Sequence, residues 1–278
     1  MESIVSAEWL KDHLSDENLI ILDCSLKNNV TGGPSEYEGI YIKGSRYFDL
    51  EGDFSDSTSG LPHTLPSPEA FEKACRNLGI NNESVIVAYD NMGIYISPRV
   101  WWMFTVMGHK NVAVLDGGLP CWVKNEYPTT SSLKADFQLG NFISDFDSVQ
   151  VKSIQEVNDN IDSNEYRVID ARSAGRFEGT EPEPRKGLRG GHIPGSFNVP
   201  FQSVLNDGKF KSNEELITIF EKLNLEDKPL IFSCGSGVTA CVSLMAANRV
   251  LSNNKMVFDG SWTEWAQRLD LPVETGKS

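Results

Sequence analysis

The sequence predicts an α/β protein of two similar domains, each a mostly parallel sheet with helices on both faces. Three observations carry the prediction. Four segments recur in the same order in both halves, short β-branched apolar runs alternate with helical patterns, and 278 residues suffice for two domains of ordinary size.

The recurrence is read directly from the chain. "LIILDCS" at 19–25 answers "RVIDARS" at 167–173, and "IKGSRYFDL" at 42–50 answers "IPGSFNVPF" at 193–201. "SVIVAYDNMGIY" at 84–95 answers "PLIFSCGSGVTA" at 229–240, and "VAVLDGGLPCW" at 112–122 answers "KMVFDGSWTEW" at 255–265. The offsets agree closely: Asp23 to Asp170 is 147, Gly44 to Gly195 is 151, Asp90 to Cys234 is 144, and Asp116 to Asp259 is 143. One domain has been duplicated.

Element by element, "MESIVSAEWLKDHL" opens the chain as an acidic amphipathic stretch without a basic region before an apolar one, so no signal peptide is expected. "SVIVAY", "VAVLD" and "PLIFS" are buried strands by composition and length. "SPEAFEKACRNLGI" is a helix that starts at Ser67 before Pro68 and Glu69 and stops at Gly79, and "NEELITIFEKLNL" is a second helical pattern between strands. The polar, weakly periodic stretch from about 124 to 150 matches nothing in the other half and is expected to link the domains. The expected division is 1–139 and 140–278, with the linker beginning near 124.

Composition narrows the function. Hydrophobic residues at 40% and charged ones at 23% supply packed cores. A formal net charge of −14 gives no footprint for nucleic acid or for an anionic membrane surface. No run approaches the ~18 apolar residues of a membrane span. The five cysteines, Cys24, Cys75, Cys121, Cys234 and Cys241, have neither metal-ligand spacing nor a disulfide framework. Free thiols, a cytoplasmic location, no metal and no cofactor are the expectations.

Cys234 has a setting the other cysteines lack. "PLIFSC" reads as a strand and "TACVSLMAANRVL" as a helix, so Cys234 falls at a strand's carboxyl end, where α/β sheets collect ligands. Gly235 and Gly237 are expected to let the backbone curl and turn N–H groups inward, which with the helix dipole favours a thiolate. A cysteine phosphatase would carry arginine five residues after the nucleophile. Here that residue is Ala240.

Together, "CGSGVTA", "RFEGTEPEPR", "GHIPGSFNVPF" and the paired "DG" motifs resemble the sulfurtransferases of the rhodanese superfamily, and the neutral loop resembles its 3-mercaptopyruvate branch. The similarity spans nearly the whole chain, with gaps mainly in the linker and at both termini. It implies two tandem rhodanese-like domains and a two-step relay. Cys234 takes sulfur from 3-mercaptopyruvate, pyruvate leaves, and the persulfide passes its sulfur to a thiol acceptor such as thioredoxin or a low-molecular-weight thiol, or to cyanide. Asp90 stands at the first-half position of Cys234, so the N-terminal domain is expected to be catalytically silent.

The resemblance also assigns substrate-binding positions. Arg176 and Arg185 match the arginines that hold the substrate carboxylate, and Gly235, Gly237, Val238 and Thr239 form the loop around the sulfur. Ser236, His63 and Glu51 match a serine–histidine–acid relay, with Asp49 or Asp53 as alternative partners of His63. A monomer is expected. His192 is expected to fix a turn, and Trp101 and Trp102 to be core or interface aromatics. Two rivals remain: a thiosulfate:cyanide sulfurtransferase, which a loop without Lys or Arg disfavours, and a non-catalytic tandem scaffold or binding module.

Overall fold

The computed structural model describes residues 1–26 and 35–277. The chain forms two compact units: Met1–Ser57, Leu65–Asp147 and Asp207–Phe210 make the N-terminal unit, and Thr58–Thr64, Ser148–Asn206 and Lys211–Ser278 the C-terminal unit. Each is built on a five-stranded sheet. In the first, the strands lie in the order Ile4–Val5, Val112–Leu115, Val85–Tyr89, Leu19–Asp23, Arg46–Tyr47. In the second, the order is Val151–Lys152, Lys255–Phe258, Leu230–Ser233, Arg167–Asp170, Phe197–Asn198. Every neighbouring pair in both sheets is parallel. The strands appear in the same spatial order with the same sequence correspondence, which is the duplication read in three dimensions.

Central strands such as Leu230–Ser233 are buried along their whole length, as parallel strands covered on both faces must be. Around the first sheet pack Val5, Leu10, Ile21, Val87, Tyr89, Leu115 and Trp122. Around the second pack Val157, Val168, Ile231, Met256, Phe258, Trp262 and Trp265. Trp101 and Trp102 are core residues of helix Ser97–Val106. Helix Pro68–Asn77 starts as its sequence predicts, with the Ser67 side chain accepting the N–H of Ala70, and Gly79 follows it with φ +66°. Helix Asn213–Glu221 opens with a full capping box between Ser212 and Glu215. No helix among the described residues is long and apolar enough to cross a membrane.

The expected linker is largely part of the N-terminal unit. Lys124 closes helix Gly118–Lys124, and Thr129–Thr130 pairs antiparallel with Tyr41–Ile42. Beyond residue 139 the chain still packs on this unit: Gly140 donates to Arg76 O at 2.9 Å, Phe142 donates to Ile80 O at 3.2 Å, and the Phe142 ring is buried against Phe71 and Phe104. The main division therefore falls after Asp147 where 139 was expected. A single buried aromatic in a polar stretch has no periodicity to announce it.

Candidate active site

Cys234 follows strand Leu230–Ser233 directly and is 1% exposed. Its loop is pinned from the last strand–helix junction. The N–H of Cys234 donates to Ser261 Oγ at 3.2 Å, and that hydroxyl donates to Phe258 O at 2.8 Å. Cys234 O accepts the Trp262 N–H at 3.0 Å, and Gly235 O accepts both the N–H of Thr263, at 3.0 Å, and its hydroxyl, at 2.6 Å. The repeated "DG" segment located this junction in the sequence, but nothing there marked Ser261 and Thr263 as the residues that hold the loop. Ser261 has φ +51°, a left-handed conformation costly for serine, kept where its hydroxyl meets both the loop and the strand.

The two loop glycines differ in conformation and surroundings. Gly237 has φ +76° and is required for its conformation. Gly235 lies against the two arginines: a Cβ there would stand 3.0 Å from Arg176 Nη2, tight enough that the guanidinium would have to give slightly, and 3.8 Å from Arg185 Nη1, an ordinary contact. Both arginines expected from the sequence therefore stand beside Gly235, the residue after Cys234. Val238 and Thr239 are buried and lead into helix Ala240–Asn248.

Arg176 lies in the short helix Ala174–Glu178, capped by Ser173. Its Nη2 donates to Glu183 Oε2 at 2.6 Å and its Nε spans both Glu183 oxygens at 3.2 Å. The other Glu183 oxygen accepts from Arg172 Nη1 at 2.8 Å. Arg172 also forks onto Asp170, at 3.1 Å from Nε to Oδ1 and 2.5 Å from Nη2 to Oδ2, and lies 4.2 Å over the Trp262 ring. Neither Glu183 nor Arg172 was singled out from the sequence; an acid within "TEPEPR" looks like a solvated charge until the loop folds inward.

His63 belongs to the C-terminal unit although it precedes the first large helix of the N-terminal unit. Segment Thr58–Thr64 is a tight turn in which Ser59 Oγ lies 2.6 Å from Thr64 Oγ1, and His63 has φ +61°. His63 Nδ1 stands 3.2 Å from Ser236 Oγ. The structure thus brings Ser236 and His63 together. Glu51 is exposed on a turn of the N-terminal unit, where Asp49 Oδ1 accepts the Gly52 N–H at 3.1 Å. His192 hydrogen-bonds Phe177 O through Nδ1 at 2.8 Å and stacks on the Phe177 ring, as a turn-fixing residue does.

The remaining cysteines have structural surroundings. Burial pushes the Cys24 and Cys75 thiols well above their ordinary range. Cys121 is buried in the first core, and Cys241 donates to Gly237 O at 3.3 Å.

Comparison with known proteins gives a consistent answer. The family described as Rhodanese-like domain matches residues 6–125 and 153–268. The chain is 40% identical to thiosulfate/3-mercaptopyruvate sulfurtransferase 1, mitochondrial, of Arabidopsis thaliana, over all of this chain and 79% of that protein. It is 39% identical to 3-mercaptopyruvate sulfurtransferase of Escherichia coli K12, over 98% of both chains. The crystal structure of SseA from Escherichia coli, described with the catalytic mechanism of 3-mercaptopyruvate sulfotransferases, superposes with a TM-score of 0.83 at 35% identity, covering 94% of this chain and 99% of that one.

Proposed function

This chain belongs to the rhodanese family, and on that premise we propose that its C-terminal unit moves sulfur from 3-mercaptopyruvate to an acceptor through a persulfide on Cys234. The chain is thus a 3-mercaptopyruvate sulfurtransferase. The observation that carries the residue assignment is the approach of Arg176 and Arg185 to Gly235, beside a cysteine at a strand's carboxyl end.

In the first step the Cys234 thiolate attacks the donor sulfur. An S–S bond forms, the carbon–sulfur bond breaks, and its electron pair leaves on the enolate of pyruvate. The proton of the donor thiol passes to that carbon, with Ser236 and His63 as the relay that lies in reach. Pyruvate departs and Cys234 holds a persulfide anion. Backbone N–H groups at Val238 and Thr239 hold that anion ahead of helix Ala240–Asn248. In the second step an acceptor thiolate attacks the outer sulfur, the S–S bond breaks, and the Cys234 thiolate returns.

Arg176 and Arg185 hold the donor's carboxylate, for which a guanidinium fork is the matching shape. Glu51 is the proposed acid of the His63 relay, with Asp49 or Asp53 in its place as alternatives. The acceptor is a small thiol, thioredoxin or cyanide, and the chain works as a cytoplasmic monomer.

The experiment is the ratio of kcat/KM for 3-mercaptopyruvate to that for thiosulfate with a common thiol acceptor. A ratio well above one is expected. A ratio below one would keep Cys234 as nucleophile and move the enzyme to thiosulfate, a donor also printed in the name of the plant relative; no turnover with either donor would favour the scaffold reading.

A further inference from the structure

We propose that Glu183 selects for a monoanionic donor by occupying the fork edge of Arg176, so that Arg185 carries the net positive charge beside Cys234. The inference rests on the reading of Arg176 and Arg185 as the carboxylate site and assigns them unequal shares of it.

The side chain of Glu183 is 2% exposed and lies between two arginines. One oxygen takes Arg172 at 2.8 Å, and the other takes Arg176 at 2.6 Å. Arg172, 0% exposed, grips Asp170, 3% exposed, from its other side. Asp170, Arg172 and Glu183, all buried, and Arg176, 22% exposed, thus form a row of alternating sign whose charges cancel. A carboxylate so enclosed is retained only when its charge is answered on both sides.

Arg176 enters the site with its Nε–Nη2 edge spent on Glu183. Arg185 is different. Its Nη1 donates to the Thr263 hydroxyl at 3.4 Å, and among the described residues it forms no ion pair. Both guanidiniums reach Gly235, at 3.0 and 3.8 Å from where a Cβ would stand. A donor arriving at Cys234 therefore meets two guanidiniums whose surroundings leave one positive charge uncompensated. Mercaptopyruvate has one carboxylate to meet it, through the free fork of Arg185. Thiosulfate brings two negative charges and leaves one unanswered. An added positive charge in the site would stabilise the dianion about twice as much as the monoanion.

The test is Glu183→Gln, which keeps the shape and removes the charge, with Glu183→Asp as the charge-preserving control. kcat/KM is measured for both donors with one acceptor, alongside inhibition by pyruvate and by sulfate as monoanionic and dianionic competitors. The expected result is that Glu183→Gln lowers the mercaptopyruvate-to-thiosulfate preference about tenfold and strengthens sulfate against pyruvate, while Glu183→Asp keeps the original preference. A folded Glu183→Gln protein with unchanged preference overturns the proposal. Should that variant fail to fold, the unmodified enzyme decides: pyruvate must inhibit more strongly than sulfate, and parity overturns the proposal. Arg185→Gln separates the two levels. Selective loss of mercaptopyruvate use there, with no effect of Glu183→Gln, removes the role of Glu183 alone; equal loss of both donors removes the carboxylate reading and this proposal with it.

Discussion

In the N-terminal unit, the loop after strand Val85–Tyr89 closes on its own carboxylate. Asp90 Oδ2 accepts the N–H groups of Tyr95, Ile96 and Ser97 at 2.9–3.0 Å and the Ser97 hydroxyl at 2.8 Å, while Oδ1 accepts the Met92 N–H at 3.0 Å. In the C-terminal unit the residue at that place is Cys234, and no carboxylate of its own enters the loop. The loop in one copy carries an internal acceptor for its own N–H groups, and the loop in the other carries a thiol in that place. A second difference lies one strand away. Asp170 is gripped by Arg172, but its counterpart Asp23 has Ser25 at the matching position, whose hydroxyl donates at 2.6 Å. Burial and the nearby Asp90 push the Asp23 carboxyl up to about 6. The N-terminal copy has neither a cysteine at this place nor an arginine to pair with its buried aspartate.

The largest effect should come from Cys234→Ser, which is expected to reduce sulfur transfer from either donor by about a thousandfold or more, since an alcohol replaces the thiolate nucleophile. In the unmodified protein, mercaptopyruvate alone should add about 32 Da, one sulfur, on the peptide containing Cys234. Substantial turnover by the variant, or sulfur on another cysteine, would break the contrast between the two loops.

Next comes Asp90→Ala. Removing the acceptor strands several loop donors and should destabilise the N-terminal unit by about 3 kcal/mol or more, read by chemical denaturation. A loss under about 1 kcal/mol would mean that the loop holds its shape without the internal anion.

Asp23→Asn is expected to act through pH. The folded carboxyl keeps its proton up to about 6, against 3.8 for the ordinary group, so its contribution to stability is full below 3.8 and is lost as pH rises through 6. Ionising it in place costs on the order of 3 kcal/mol, part of which Asn forfeits in altered hydrogen bonds to Ser25, leaving a gain of about 1–2 kcal/mol at pH 7.5. The gain should vanish below pH 4; a pH-independent difference would refute the role of the charge.

The smallest effect concerns the paired junctions. Gly118 and Ser261 occupy matching places and share φ +51°, but a Cβ on Gly118 would collide with the carbonyls of Gly93 and Asp90. Ser261→Gly should relieve about 1 kcal/mol of backbone strain while lowering kcat several-fold, because the N–H of Cys234 loses its acceptor. Unchanged kcat would leave Ser261 as packing only.

By itself the sequence determined the duplication, the parallel α/β class, the cap of the helix that starts at Ser67 and the position of Cys234 at a strand end. These depend on local periodicity and on residues close together in the chain, such as Ser67 with Ala70. Arg176 and Arg185 were legible only through the resemblance of "RFEGTEPEPR" to a family. The Ser236–His63 pair was likewise expected only through the resemblance; tertiary structure decided that 58–64 joins the C-terminal unit, which carries His63 to Ser236 across 173 positions of sequence. It also decided that Phe142 holds the expected linker to the N-terminal unit, that Glu183 is buried between two arginines, and that both Arg176 and Arg185 reach Gly235. A carboxylate in a proline-spaced loop has the same sequence signature whether it faces water or another charge. Which one it meets is set by long-range closure of the chain, where desolvation makes an answered charge permissible and an unanswered one costly.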